Sequence, residues 1–271
     1  MLNRSQPPVI NEIQTIRLPQ PEVRHLDSGI PVYVTNLGTQ EVIRLEVVFF
    51  AGRAFEAKPL VARAASSLLR EGTRNYTAAE IAETIDFFGG TLSLPFNLDT
   101  SSLVLYSLNK HFADTLPVIR EMLTAPAFTE RDLEAYIRRS QRRLSVDLAK
   151  NDNFAYRLIT EQIFGSSHPY GYNSTMATYG ALKAEDLRQH HERLYNANNC
   201  IIFISGKVTD QVLRELNRAL GSALPAGKRP QPGVSTFDAP PQTTIEHRPE
   251  TLQAAVRIGR RAFSRRHEDF S

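Results

Sequence analysis

Seven histidines, one cysteine and 29 carboxylates are the side chains here that could hold a metal or move a proton. The histidines are His25, His111, His168, His190, His191, His247 and His267, and none stands in an H-x-x-E-H or H-E-x-x-H spacing. His190 and His191 are adjacent, so on a helix they point about 100° apart and cannot easily face one ion. His168, before Pro169, reads as a loop-ordering residue. Cys200 lies in the apolar run Cys200-Ile201-Ile202-Phe203-Ile204, which places it in a buried strand, and one thiol gives no intramolecular disulfide. Arg138, Arg139, Arg142 and Arg143 form a basic stripe without interleaved aromatics. That stripe reads as a solvated or partner-facing surface and not as a nucleic-acid site.

The elements that would carry these residues follow from turn and period signals. Val32–Thr35 follows the turn Asp27-Ser28-Gly29, Val42–Phe50 is a long β-rich run, and together they read as neighbouring strands. A helix is expected from about Pro59 to Arg70, stopped by Gly72. Thr77-Ala78-Ala79-Glu80 is a capping box opening a helix with Ile81, Ile85 and Phe88 on one face, ended by Gly89-Gly90. Strands are expected near Thr91–Asn97 and Ser101–Leu108. Helical stripes follow: Phe112/Leu116/Ile119/Leu123, then Leu133/Ile137/Leu144/Leu148 after Thr129, then Phe154/Leu158/Ile159/Ile163, then Glu185–Tyr195. The strand Cys200–Ser205 and a helix with Val212, Leu213, Leu216 and Leu220 complete the set.

This order predicts an α+β layer, one mainly antiparallel sheet covered by helices on one face. Residues 1–223 would form that domain, and the Pro- and Gly-rich stretch 224–241 a linker. Residues 242–271, with strands at Thr243–Glu246 and Leu252–Gly259, would begin a second related domain. A 41% hydrophobic composition and a net charge of +3 fit a globular chain and exclude a generally disordered one. No apolar segment precedes a cleavage site, and no stretch approaches a membrane span of about 18 residues. The expected setting is soluble and cytoplasmic, with neither membrane nor nucleic acid as partner.

Four blocks, in order, resemble the insulinase/pitrilysin family. Leu26-Asp27-Ser28-Gly29-Ile30-Pro31-Val32 is similar to its opening strand turn, and Leu68-Leu69-Arg70-Glu71-Gly72-Thr73 to the end of its metal-binding helix. Ile163-Phe164-Gly165-Ser166-Ser167-His168-Pro169-Tyr170-Gly171 resembles its F-x-x-H-P-(Y/L)-G segment. Asp186 to Gly206 resembles the family's following helix and strand. Active members carry H-x-x-E-H, in which two imidazoles hold Zn²⁺ and the Glu moves the proton of the attacking water. The resemblance places Arg63-Ala64-Ala65-Ser66-Ser67 over that motif. Arg63 and Ser67 then stand at the histidine positions and Ser66 at the general base. The family spacing of about 76 residues puts the third ligand at Arg143 or Leu144, where Asp147 would neutralise Arg143 at i,i+4.

Arg has no lone pair to offer and stays charged, and a serine hydroxyl is no base near pH 7. The resemblance therefore implies a metallopeptidase homologue without zinc, inactive alone. It would complete a peptide chamber for a zinc-bearing H-x-x-E-H subunit of the same family, or pair with its own kind as a homo-oligomer. The rival reading is a peptide-binding or scaffold protein with no proteolysis in its complex. In active relatives the strand after the Gly-Gly pair binds extended peptide, which nominates Leu92, Ser93, Leu94 and Phe96; Pro95 removes one ladder donor from that edge.

Overall fold

The computed structural model describes residues 19–233, 240–249, 251–264 and 267–270. Six strands form one sheet: β1 (Glu22–His25), β2 (Pro31–Asn36), β3 (Val42–Phe49), β4 (Thr91–Ser93), β5 (Ser101–Leu108) and β6 (Cys200–Gly206), in spatial order β1-β2-β6-β3-β5-β4. Every neighbouring pair is antiparallel except β2–β6, and β2 and β3 are not neighbours as their sequence suggested, because β6 enters between them and ladders with both. The parallel pair has a topological cause. The helices between β2 and β6 return the chain to the same end of the sheet before it re-enters, which a parallel neighbour requires.

Eight helices accompany the sheet among the described residues: α1 (Val61–Leu68), α2 (Ala78–Phe87), α3 (Phe112–Thr124), α4 (Glu130–Ala149), α5 (Asn151–Phe164), α6 (Met176–Gly180), α7 (Ala184–Leu194) and α8 (Asp210–Leu220). Strict alternation in β3 turns Ile43, Leu45, Val47 and Phe49 inward. They meet Leu103 and Leu105 of β5 and Ile202 and Ile204 of β6 in one core with Leu68, Leu69, Phe112, Leu116 and Leu187. Burying an aliphatic side chain of this kind contributes about 1.5–3 kcal/mol, so this layer carries most of the stability. The α2 capping box forms as its sequence dictates: Glu80 N–H donates to the Thr77 hydroxyl at 3.2 Å, and Thr77 N–H to the Glu80 carboxylate at 2.8 Å.

Three elements differ from their sequence signals. β4 is only three residues long, because after Ser93 the chain leaves the ladder and the Pro95 carbonyl accepts from Ser102 N–H at 2.9 Å. β1 and α6 form where no strand or helix was expected. β1 is too short and too polar to show a period, with all four residues exposed.

The expected strands at Thr243–Glu246 and Leu252–Gly259 do not form; a strand needs a neighbour to ladder with, and no described strand pairs with either segment. The segment lies instead along α5. The Arg248 guanidinium donates to Asn151 Oδ1 at 3.1 Å and faces the Phe154 ring at 5.0 Å. Arg257 pairs with Asp152, and Gly259 packs close to Ile159 and Ile163. The opposite side chains, Leu252, Val256 and Ile258, stay open to solvent. No described helix is long and apolar enough to cross a membrane.

Candidate functional site

α1 carries the residues at the expected metal positions, and its start is fixed from outside the helix. Leu60, just before it, has φ +73°, a left-handed conformation that an L side chain adopts only when its surroundings hold it there. No local side chain caps this end. Glu56 substitutes: its carboxylate accepts from Ala62 N–H at 3.1 Å and from the Tyr172 hydroxyl. The same hydroxyl accepts from Leu60 N–H at 3.0 Å.

Arg53 completes the clamp, with its guanidinium 3.7 Å from the Tyr172 ring centre and a 2.6 Å donation to the Tyr172 carbonyl. A carboxylate at a helix start is favoured by the free amides and the dipole. Burial nonetheless dominates and raises the Glu56 pKa, against the lowering effects of Tyr172, the Ala62 and Leu60 amides and Arg53.

The loop supplying Tyr172 is itself ordered. His168 is buried and accepts from Tyr170 N–H at 3.0 Å while stacking on Phe164 at 5.4 Å. Tyr170 hydrogen-bonds Asp99 in the turn before β5. Gly171 passes so close to the Gly165 carbonyl that a Cβ would stand 2.1 Å from it. His168 thus has the loop-ordering place its sequence context indicated.

Along α1 the expected metal positions separate. Arg63 is exposed, and Ser66 is 1% exposed with a hydroxyl that has no partner among the described atoms. Ser67 is half-buried against α4, where the Tyr136 hydroxyl is within interaction range of Ser67, Ser140, Arg63 and Tyr179. Burial first, then Tyr179, raises the Tyr136 pKa, against Arg63, Ser140 and Ser67, so the phenol stays protonated.

Arg143, nominated as the third ligand position, is 79% exposed and pairs with Asp147 at 3.8 Å along its own helix. Leu144 is buried in the core. α4 therefore presents Tyr136 and Ser140 to α1, not Arg143. These residues do not fit Zn²⁺: the donors facing one another are neutral hydroxyls beside a guanidinium, with no imidazole, thiolate or carboxylate among them. Among the described residues no three His, Cys, Asp or Glu side chains gather into a metal-binding group.

Residues 181–270 match the family profile described as the Peptidase M16 inactive domain. That third of the chain is similar to the peptidase M16 inactive domain. Two curated relatives share the name YmxG. The "Uncharacterized zinc protease YmxG" of Bacillus subtilis is 21% identical over 247 residues, covering 89% of this chain and 59% of its own length. The "Non-peptidase homolog YmxG" of Helicobacter pylori is 25% identical over 206 residues, covering 73% of this chain and 46% of its own. The chain thus spans about half the length of the curated relatives it matches.

Solved M16 structures share the fold. An M16 inactive domain from Pseudomonas fluorescens superposes with a TM-score of 0.70 at 21% identity, over 79% of this chain and 54% of that one. Pitrilysin superposes with 0.69 at 18% identity, over 81% of this chain and 24% of its own.

The remaining nominated residues take structural places in this chain. His190 and His191 are buried apart, contacting the Ala51 carbonyl at 3.2 Å and the Leu123 carbonyl at 2.9 Å. Burial pushes both pKa values down to about 4. The Cys200 thiol is buried and its pKa raised by desolvation, which keeps it unreactive. Leu92, Ser93 and Leu94 run along the sheet edge: Leu92 faces Leu105, Ser93 faces Val104, and Phe96 bridges Ser101. Only the outer backbone of Thr91–Ser93 is left in strand form for a further strand.

Sequence reasoning missed Tyr136, Glu56, Tyr172 and Arg53. Tyr136 had a signal, since it falls three residues after Leu133 and eight before Leu144 on the buried stripe of α4. The clamp had none, because Arg53 and Glu56 come from a loop more than 110 residues from their partner.

Proposed function

We propose that this chain is the zinc-less member of a pair of insulinase-type chains, completing a peptide chamber for a partner that carries H-x-x-E-H and its zinc. One observation supports this reading above the others. The clamp that starts α1 is built from three interlocked side chains and two backbone amides, while the positions on the same helix that would hold and use a metal are arginine and serine. A helix whose placement is so closely specified, yet whose metal chemistry is absent, suits a wall more than a catalyst. The edge strand around Leu92, Ser93, Leu94 and Phe96 would contribute peptide contacts by β-pairing. Residues 224–241 would act as a linker, with 242–271 opening a second domain of the same kind. Zinc would reside in the partner, and chambers made from copies of this chain alone would lack turnover.

The test is reconstitution. The purified chain is mixed with an H-x-x-E-H chain from the same genome and followed by size exclusion and by hydrolysis of a quenched peptide. Co-elution with increased turnover is the expected result. Peptide binding by the isolated chain, with no effect on any protease, would instead establish the scaffold reading.

A further inference from the structure

The residues of α1 and α4 that do not fit Zn²⁺ share a chemical bias of their own. Arg63, Ser66 and Ser67 stand at i, i+3 and i+4 on α1, within about 100° of one helix face. From α4, the Tyr136 hydroxyl comes within interaction range of Ser67, Ser140 and Arg63. One guanidinium and four hydroxyls thus share the junction, and each of them can donate a hydrogen bond. Among the described residues, no carboxylate acts on the Tyr136 hydroxyl.

Two features distinguish this junction from a solvated surface. The Ser66 hydroxyl is buried and has no partner among the described atoms, so a donor is held ready with nothing to receive it. Arg63 is exposed and makes no ion pair among the described residues, whereas Arg138, Arg139 and Arg143 on α4 each face an acid. Ser67 and Ser140 are half-buried, so the junction is closed at Ser66 and open towards Arg63. Arg157 interacts with Tyr179, but Glu161 and Asp147 oppose its charge. The unmatched charge at the junction is therefore that of Arg63.

We propose that this junction binds a carboxylate, with Arg63 supplying the charge and the serine and tyrosine hydroxyls the remaining donors. Arginine suits carboxylate oxygens because its N–H groups form a planar fork. A carboxylate cancels the single charge, whereas a phosphate dianion leaves one negative charge uncompensated in a partly desolvated corner. The carboxylate belongs either to a small acid or to the free C-terminal end of a peptide, and the experiment separates the two. The site stands independently of the chamber reading, because no partner chain takes part in it.

The full chain is labelled with ¹⁵N-arginine, and the Arg63 Nε–H signal is assigned by its loss in Arg63→Gln, a change at an exposed position. The labelled chain is titrated with acetate, inorganic phosphate, pentaglycine and pentaglycine amide. Acetate and pentaglycine should move the Arg63 signal saturably, phosphate should need a higher concentration, and the amide should leave the signal in place. Tyr136→Phe should weaken the binding at least about threefold, while Arg143→Gln, on the solvent side of α4, should not change it. Circular dichroism confirms that each variant is folded. Pentaglycine at least about tenfold stronger than acetate assigns the site to a chain end, and equal strength assigns it to a small acid. Four results overturn the proposal: no saturable shift with either carboxylate, an equal shift with the amide, phosphate binding more tightly than acetate, or equal weakening by Tyr136→Phe and Arg143→Gln.

Discussion

The two parts of α1 are built on opposite principles. At its start, Glu56, Tyr172, Arg53 and the Leu60 and Ala62 amides satisfy one another across three chain segments. One turn later, Arg63 is exposed and the buried Ser66 hydroxyl has no partner among the described atoms. The difference separates what holds the helix from what the helix presents. A buried polar group left unpaired costs about 1–3 kcal/mol, so an orphan hydroxyl persists only where the rest of the fold can carry it. The clamp removes such costs at the start of α1; no group does so at Ser66.

The comparison is tested most severely by trying to restore the metal. Arg63→His with Ser67→His puts two imidazoles one turn apart, but a third ligand is needed, and the two routes to it disagree. Spacing along the sequence nominates Arg143; the structure nominates Ser140, beside the Tyr136 hydroxyl that meets Ser67. The expected outcome is micromolar or better zinc binding, about 8 kcal/mol, when Ser140→Glu is added, and much weaker binding when Arg143→Glu is added. Zinc titration against a competing chelator measures both. Tighter binding with Arg143→Glu would show that α4 meets α1 through the other face.

pH acts on the clamp through groups of opposite sign. Glu56 has a raised pKa in the fold, so its contribution is fully present below its unfolded value and is lost as pH rises through the folded one. His190 and His191 titrate the other way. Their folded values near 4 lie below the unfolded 6.5, so their contribution is present above pH 6.5 and lost as pH falls towards 4. His190 bonds the Ala51 carbonyl just before the segment carrying Arg53 and Glu56, so the effects converge on one place. Urea unfolding should show a loss on the order of a few kcal/mol between pH 6.5 and 4. Glu56→Gln should deepen that loss by removing the opposing slope. An unchanged profile in the variant would mean Glu56 is not buried as described.

Tyr172 separates the clamp's packing from its hydrogen bonds. Tyr172→Ala removes the ring under Arg53 as well as the hydroxyl and should cost about 3 kcal/mol. Tyr172→Phe keeps the ring, strands the Leu60 amide and one Glu56 oxygen, and should cost about 1–2 kcal/mol. Equal costs for the two would place the whole effect in the hydroxyl and remove the cation–π stack from the account.

The fold was largely legible in the sequence because its signals are local. Period two in Val42–Phe49, the Thr77–Glu80 box and the apolar stripes of α3, α4 and α8 each predict their element without reference to a partner. The α+β layer with a mainly antiparallel sheet follows from their order. Elements set by distant contacts were illegible. β1 exists because β2 offers an edge, β4 stops where Pro95 turns its carbonyl to β5, and Leu252–Gly259 has a strand's composition but no ladder. The site divides in the same way. Arg63, Ser66 and Ser67 could be named from spacing on one helix, whereas the group facing them depends on how α4 rotates about its axis: counting residues reached Arg143 or Leu144, of which the first faces solvent and the second lies in the core, while Tyr136 and Ser140 lie beside Ser67.

The smallest predicted effect is also the sharpest statement of the contrast within α1. Ser66→Ala removes a hydroxyl that is 1% exposed and makes no hydrogen bond among the described atoms, without opening a cavity larger than one oxygen. Elsewhere a buried serine loses a bond when truncated and the protein is weakened. Here nothing is lost, the desolvation cost disappears, and alanine is the stronger helix former. Stability should therefore stay level or rise by up to about 1 kcal/mol, read from the urea midpoint at constant slope. Thr77→Ala is the matched control, since the same chemical deletion there breaks the α2 capping box and should lower stability by about 1 kcal/mol. If Ser66→Ala were as damaging as Thr77→Ala, the Ser66 hydroxyl would have a partner, most simply a buried water, and the middle of α1 would be as fully satisfied as its start.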